Sequence, residues 1–97
     1  MTQVPLDVTA SSSAYPGDNR VTIRLHNPSQ RLAFFERAEL ISTADGDEIL
    51  PVEYSDNYVT VFPGETVELQ GQPWTGVTAN WVRVTGYNTQ PQLVPVR

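Results

Sequence analysis

Residues 55–69, Ser-Asp-Asn-Tyr-Val-Thr-Val-Phe-Pro-Gly-Glu-Thr-Val-Glu-Leu, decide the fold. Val59 and Val61 alternate with Thr60 and Phe62, the period of a strand buried on one face. Pro63-Gly64 then turns the chain. Proline supplies the fixed φ of a first turn position, and glycine tolerates the positive φ of a type II second position. Val67 and Leu69 resume the alternation. The stretch reads as strand, tight turn, strand, and predicts a β-sandwich layer. It holds no nucleophile, metal cluster or phosphate loop.

The same rhythm extends to both sides. Val4, Leu6 and Val8 alternate with Pro5 and Asp7, and Pro5 places this first strand at an edge. Residues 10–19 read as a polar, serine-rich loop with a Pro16-Gly17-Asp18-Asn19 turn. Val21, Ile23 and Leu25 give the cleanest strand, Arg20 to His26, and Asn27-Pro28-Ser29-Gln30 ends it. In residues 32–41, Ala38 and Leu40 set one face, Arg37 and Glu39 the other. Continuing that register backward puts Phe34 and Glu36 inside. A bulge would instead put Phe35 inside and Glu36 outside, and the sequence leaves both open. Asp45-Gly46 signals a hairpin between Ile41 and Ile49. Leu50, Val52 and Tyr54, with Pro51 among them, read as another edge strand, and Trp81 to Tyr87 as the last strong one.

Residues 89–97, rich in proline and glutamine, are expected to trail along the surface. No helix of three turns can be drawn. The pattern predicts an all-β fold: one immunoglobulin-like or fibronectin III-like β-sandwich of about seven antiparallel strands, spanning residues 1–97 as a single domain.

Composition excludes several functions. The formal net charge is −5, and the six basic residues are all arginine. Without a basic stripe the chain predicts no nucleic-acid binding and no attraction to anionic membrane. No apolar run approaches the ~20 residues of a membrane span. There is no cysteine, which removes disulfides and thiolate metal sites and leaves the compartment open. The start, Met1-Thr2-Gln3-Val4-Pro5, lacks a signal-peptide pattern.

The candidate carboxylate pairs are Glu36/Glu39, Asp45/Asp47 and Glu65/Glu68. The last two sit on a hairpin tip and beside a turn, and neither place makes a sugar-sized cleft. Asp45-Gly46-Asp47-Glu48 lacks the full calcium-loop spacing, and His26 is the only histidine. The reading is no catalytic residue, no metal site and no cofactor. Tyr15, Tyr58, Trp74 and Tyr87 could stack on sugar. Trp74 is the best of them because it lies off the strand pattern. The competing reading makes it a cap on the open end of the sandwich. Asp56-Asn57-Tyr58 is either a ligand-contacting polar patch or an Asx turn that redirects the chain.

Four segments carry a family resemblance. They are Asn27-Pro28-Ser29-x-Arg31-Leu32-Ala33-Phe34-Phe35, Pro51-Val52-x-Tyr54-Ser55-Asp56-Asn57-Tyr58, Pro63-Gly64-Glu65, and Val82-x-Val84-x-Gly86-Tyr87-Asn88. Over residues 20–88 the chain resembles the C-terminal immunoglobulin-like domain of glycoside hydrolase family 2, in its exo-β-D-glucosaminidase and β-mannosidase-like branch. The resemblance implies a parent exo-β-glycosidase whose catalytic glutamates lie on a barrel absent from these residues. It implies a non-catalytic accessory domain that packs on and supports the catalytic domain. The implied partners are other domains of the same polypeptide, with carbohydrate at a shared site as a second candidate. The compartment of the chain stays open, and the resemblance favours a periplasmic or secreted bacterial parent enzyme. Asp56, Asn57, Tyr58 and Trp74 are the expected docking or binding residues at one polar-aromatic end. The alternatives are a carbohydrate-binding module and an extracellular interaction module.

Overall fold

Alternating apolar residues at 21, 23 and 25 anchor the sandwich. The computed structural model describes residues 3–43, 46–74 and 76–97. Eight strands follow in order: β1 Asp7–Ser12, β2 Val21–His26, β3 Ala33–Ile41, β4 Val52–Tyr54, β5 Val59–Val61, β6 Thr66–Pro73, β7 Trp81–Thr85 and β8 Gln92–Pro95. They form two four-stranded sheets, β1-β2-β6-β4 and β5-β3-β7-β8. All strand pairings are antiparallel. Val21, Ile23, Leu25 and Leu69 from the first sheet are buried together with Ala33, Ala38, Leu40, Val61, Val82 and Val84 from the second. Two layers each hide one face against the other, which is what period-2 sequences require.

The turn at Pro63-Gly64 is as read. Gly64 has φ 74°, and the Glu65 N–H donates to the Phe62 carbonyl at 3.0 Å. Its role differs from a turn within one layer. β5 and β6 lie in different sheets, so the turn carries the chain from one layer to the other. Asn27 holds this crossing. Its buried side-chain amide donates to the Arg31 carbonyl at 2.6 Å and the Val61 carbonyl at 3.0 Å, and its carbonyl accepts from Gly64 N–H at 2.8 Å.

Four expectations need correction. β1 starts at Asp7 and runs to Ser12, into the stretch read as loop, because an edge strand with a wet outer face tolerates serine. Leu50 is 75% exposed and β4 begins only at Val52. The bulge in β3 exists, between Ala33 and Glu36, but it leaves Glu36 inside, as the continued register has it, and does not bring Phe35 inward. Ala33 and Glu36 both point inward while Phe35 turns outward at φ 54°. Residues 89–97 do not trail. β8 pairs with β7 through Val82↔Val94 and its neighbours, and Val96 bridges to Ala10. Prolines suit this strand because it is an edge.

The hairpin expected at Asp45-Gly46 shows its closing contacts. Ile41 bridges to Glu48, and the Ile49 N–H donates to the Leu40 carbonyl at 2.8 Å. Asp45 itself lies outside the described residues.

Candidate functional site

After β4 the chain leaves the first sheet at Ser55, whose N–H donates to the Gln70 carbonyl at 2.8 Å. It then crosses to β3. The Asn57 side chain meets the open edge of β3 at Ala38: its Oδ1 accepts from the Ala38 N–H at 2.9 Å, and its Nδ2 donates to the Ala38 carbonyl at 3.1 Å. An amide side chain thus stands in for a strand backbone. Asp56 Oδ1 accepts from the Asn57 N–H at 2.8 Å, one residue on rather than the two of an Asx turn. The next residue, Tyr58, has φ 56° and is 62% exposed. Its ring lies 5.9 Å from the Arg37 guanidinium carbon, within cation–π reach.

Trp74 follows β6 and is 63% exposed. Its carbonyl accepts from Asn19 Nδ2 at 2.6 Å, so its backbone is held while its ring is free. The ring borders an open cavity of about 350 Å³ with Pro51, Glu53, Gln72 and Pro73. Glu53 and Gln72 are cross-strand partners that point away from the buried Gly71 and Pro73. This cavity therefore opens on the outer face of the first sheet. Tyr58 belongs to the second sheet, beside Arg37. Asp56, Asn57 and Tyr58 are brought together, and Trp74 stands apart from them.

The carboxylates behave as structure. Glu36 and Glu39 face opposite sides of β3. Glu65 Oε1 accepts from the Phe62 N–H at 3.3 Å, and Glu68 pairs with Arg24 at 3.0 Å. His26 Nδ1 lies 3.0 Å from Thr66 Oγ1. Among the described residues no group of three His, Cys, Asp or Glu could hold a metal ion. Glu36 is buried, and its carboxyl accepts from Thr89 Oγ1 at 2.8 and 3.1 Å. Burial pushes its pKa above the ordinary carboxylate value, with the Thr89 hydrogen bond opposing.

One exposed aromatic, Phe35, was missed in the sequence, while Tyr87 already stood among the candidate stacking rings. Phe35 is 58% exposed and Tyr87 is 67% exposed. The Tyr87 N–H donates to the Phe34 carbonyl at 3.0 Å, which sets Tyr87 beside the β3 bulge. Alternation along β7 agrees with that candidacy, since Arg83 and Thr85 share the face of Tyr87. Phe35 could not be found that way, because the bulge decides where it points. Phe35, Tyr58 and Tyr87 thus gather on the outer side of β5, β3 and β7.

The fold and these side chains can be compared with known proteins. The family described as the exo-beta-D-glucosaminidase Ig-fold domain matches residues 1–89. The chain belongs to that family. Relatives of this Ig-fold domain include an exo-beta-D-glucosaminidase of Arthroderma benhamiae, 38% identical over 78 residues, covering 80% of this chain and 9% of the relative. Another is that of Amycolatopsis orientalis, 37% identical over 99 residues, covering 96% of this chain and 10% of the relative. The crystal structure of the Amycolatopsis orientalis exo-chitosanase CsxA superposes with a TM-score of 0.84 at 34% identity. That match covers 97% of this chain and 12% of CsxA. The Ig-fold domain therefore spans about a tenth of the length of the curated relatives it matches. The matched part is an accessory domain. The catalytic domain of those polypeptides has no counterpart in these residues.

Proposed function

We propose that this chain works as the packing domain of an exo-β-D-glucosaminidase, holding the catalytic domain rather than doing chemistry. The carrying observation is a whole-chain match, at TM-score 0.84, to a small part of a much longer enzyme of that kind. The side chains support the reading. Glu65, Glu68 and Glu36 are spent on a turn, an ion pair and a buried hydrogen bond, the structural uses an accessory domain needs. Domain contacts within a chain are typically modest and partly polar, which this surface can supply.

Hydrolysis of a p-nitrophenyl β-D-glucosaminide tests the reading. The polypeptide that carries this domain is expected to turn it over, and the isolated 97-residue chain is not. Turnover that copurifies with the isolated chain, and is lost on replacing Glu53 or Glu36, would end the proposal.

The cavity beside Trp74 favours a second reading, a sugar-stacking surface, because it adds Glu53 and Gln72 to an exposed indole. Titration of the chain with chitosan oligosaccharides decides it. Saturable amide shifts centred on Trp74 at low ligand concentration would support a carbohydrate-binding module; their absence leaves the packing role alone.

A further inference from the structure

We infer that the domain docks through the outer face of its second sheet, around Phe35, Tyr58 and Tyr87, and that the occupant is another domain of the same polypeptide. The inference rests on the accessory-domain reading and adds which surface does the work.

The two outer faces differ in kind. On the first sheet Thr9, Arg24 and Glu68 lie in one cross-strand row, with Thr22 and Gln70 in the next. These are polar side chains suited to water, with Trp74 the exposed aromatic of that face, beside Pro51 and Glu53. On the second sheet Phe35, Tyr58 and Tyr87 are more than half exposed, as is Phe62 just past β5. Isolated exposed apolar residues are ordinary, but three gathered on neighbouring strands mark an interaction surface. Tyrosine is also over-represented among residues that dominate interface energy.

The backbone gives an independent reason. Phe35 and Tyr58 are the two non-glycine residues with positive φ among the described residues. Bulky side chains avoid that region, and such strain concentrates at functional positions. At Phe35 the strain comes with a bulge that aims the ring outward. At Tyr58 it comes directly after the corner fixed by Asn57, and again the ring ends on this face. Both residues stay more than half exposed.

The rim fits a cis partner. Arg37 pairs with Glu39 at 3.2 Å and Glu48 at 2.8 Å, and Arg83 reaches Glu39 at 3.7 Å. These charges are neutralised locally, so the patch makes no electrostatic demand on what covers it. The relatives are about ten times longer than this domain, so each places a large body of protein next to its own copy. A few aromatic side chains, each able to bury roughly 150–250 Å², make a substantial part of a contact of the size domains of one chain usually share.

Hydroxyl-radical footprinting tests this. The probe is the longer polypeptide that carries the domain, compared with the isolated chain. Phe35, Tyr58 and Tyr87 are expected to oxidise severalfold more slowly in the long polypeptide. In that polypeptide, Phe35→Ser with Tyr87→Ser is expected to speed proteolytic release of the domain severalfold, while Arg24→Ser with Glu68→Ser leaves it unchanged. Denaturation of the isolated variants confirms that they still fold. Equal oxidation in both contexts, in a polypeptide that hydrolyses the glucosaminide, overturns the docking face and leaves the accessory reading intact. A reading frame without further domains overturns both. Sedimentation of the isolated chain as a dimer that Tyr87→Ser disperses makes the occupant a second copy, and overturns the proposal as well.

Discussion

Glu36 lies inside the sandwich because it shares the alternation of Ala38 and Leu40, and the bulge before it turns Phe35 outward. The carboxyl then lies over Gly86, where any Cβ would overlap it. Glu36 is buried and tied to Thr89, so it has no route to solvent. Gly86→Ala is therefore expected to cost about 1–3 kcal/mol, the range for overpacking a filled core. Combining it with Glu36→Ala should recover at least ~0.5 kcal/mol of the summed loss, since the second change empties the space. Urea denaturation of the four proteins measures both; strict additivity would show that the two residues do not meet. The same carboxyl makes stability depend on pH. Unfolded, it titrates near its ordinary value of 4.5; folded, burial raises it. Its contribution is complete below the ordinary value and is lost as pH climbs through the raised one. Glu36→Gln is neutral throughout, so it is expected to gain on the parent over the pH range above the ordinary value of 4.5. A stability difference that stays flat across that range would mean that Glu36 titrates normally.

The edge of β3 is the element on which the two sheets depend most visibly. β5 pairs with β3 only at Ala33 and Glu36. Beyond that, side chains complete the ladder: Asn57 serves Ala38, and the Tyr54 hydroxyl accepts from the Leu40 N–H at 3.0 Å while donating to Glu48 at 2.9 Å. Asn57→Ala leaves a backbone donor and acceptor of β3 without partners and is expected to cost about 1–3 kcal/mol. Asp56→Ala, whose partner lies in an exposed corner, should stay within ~0.5 kcal/mol. Chemical denaturation of each separates them, and equal losses would mean that the corner rather than the edge carries the energy. This contrast also explains what was readable. β2 and β7 were plain because each buries alternate residues, Val21, Ile23 and Leu25 or Val82 and Val84. Period-2 reading cannot place an extra residue, so it had no means of choosing which of Phe34, Phe35 and Glu36 turns inward. Nor can it see a side chain acting as a strand, which hid the role of Asn57.

At the scale of the whole molecule, the two-layer architecture was legible because both layers are built from the same alternation. The exposed aromatics were half legible. Trp74 stood off the strand pattern and Tyr58 closed the Asp56-Asn57-Tyr58 candidate, but their separation onto different sheets depends on a crossing that sequence spacing does not show. The C-terminal strand was hidden for another reason: Pro91 and Pro95 look like loop until the edge position of β8 is known. That strand closes the sandwich. The Ser12 N–H donates to the Arg97 carbonyl at 2.9 Å and the Arg97 N–H to the Ala10 carbonyl at 3.1 Å, so the C-terminus ties β1 of one sheet to β8 of the other. Val94 and Val96 pack against the core between them. Removing residues 92–97 would uncover β7, open the seam between the sheets and expose both valines. Each valine contributes roughly 1.5–3 kcal/mol when fully buried, less here because burial is partial. The ladder to β7 and the two terminal hydrogen bonds add several further contacts. A domain of this size has about 5–15 kcal/mol in total. The shortened chain is therefore expected to lose most of its stability and to melt many degrees lower, or without a cooperative transition. Thermal unfolding followed by circular dichroism measures this. An unchanged midpoint would make the last strand an ornament on a sandwich that closes without it, and the seam would have to be held by β1 and β7 alone.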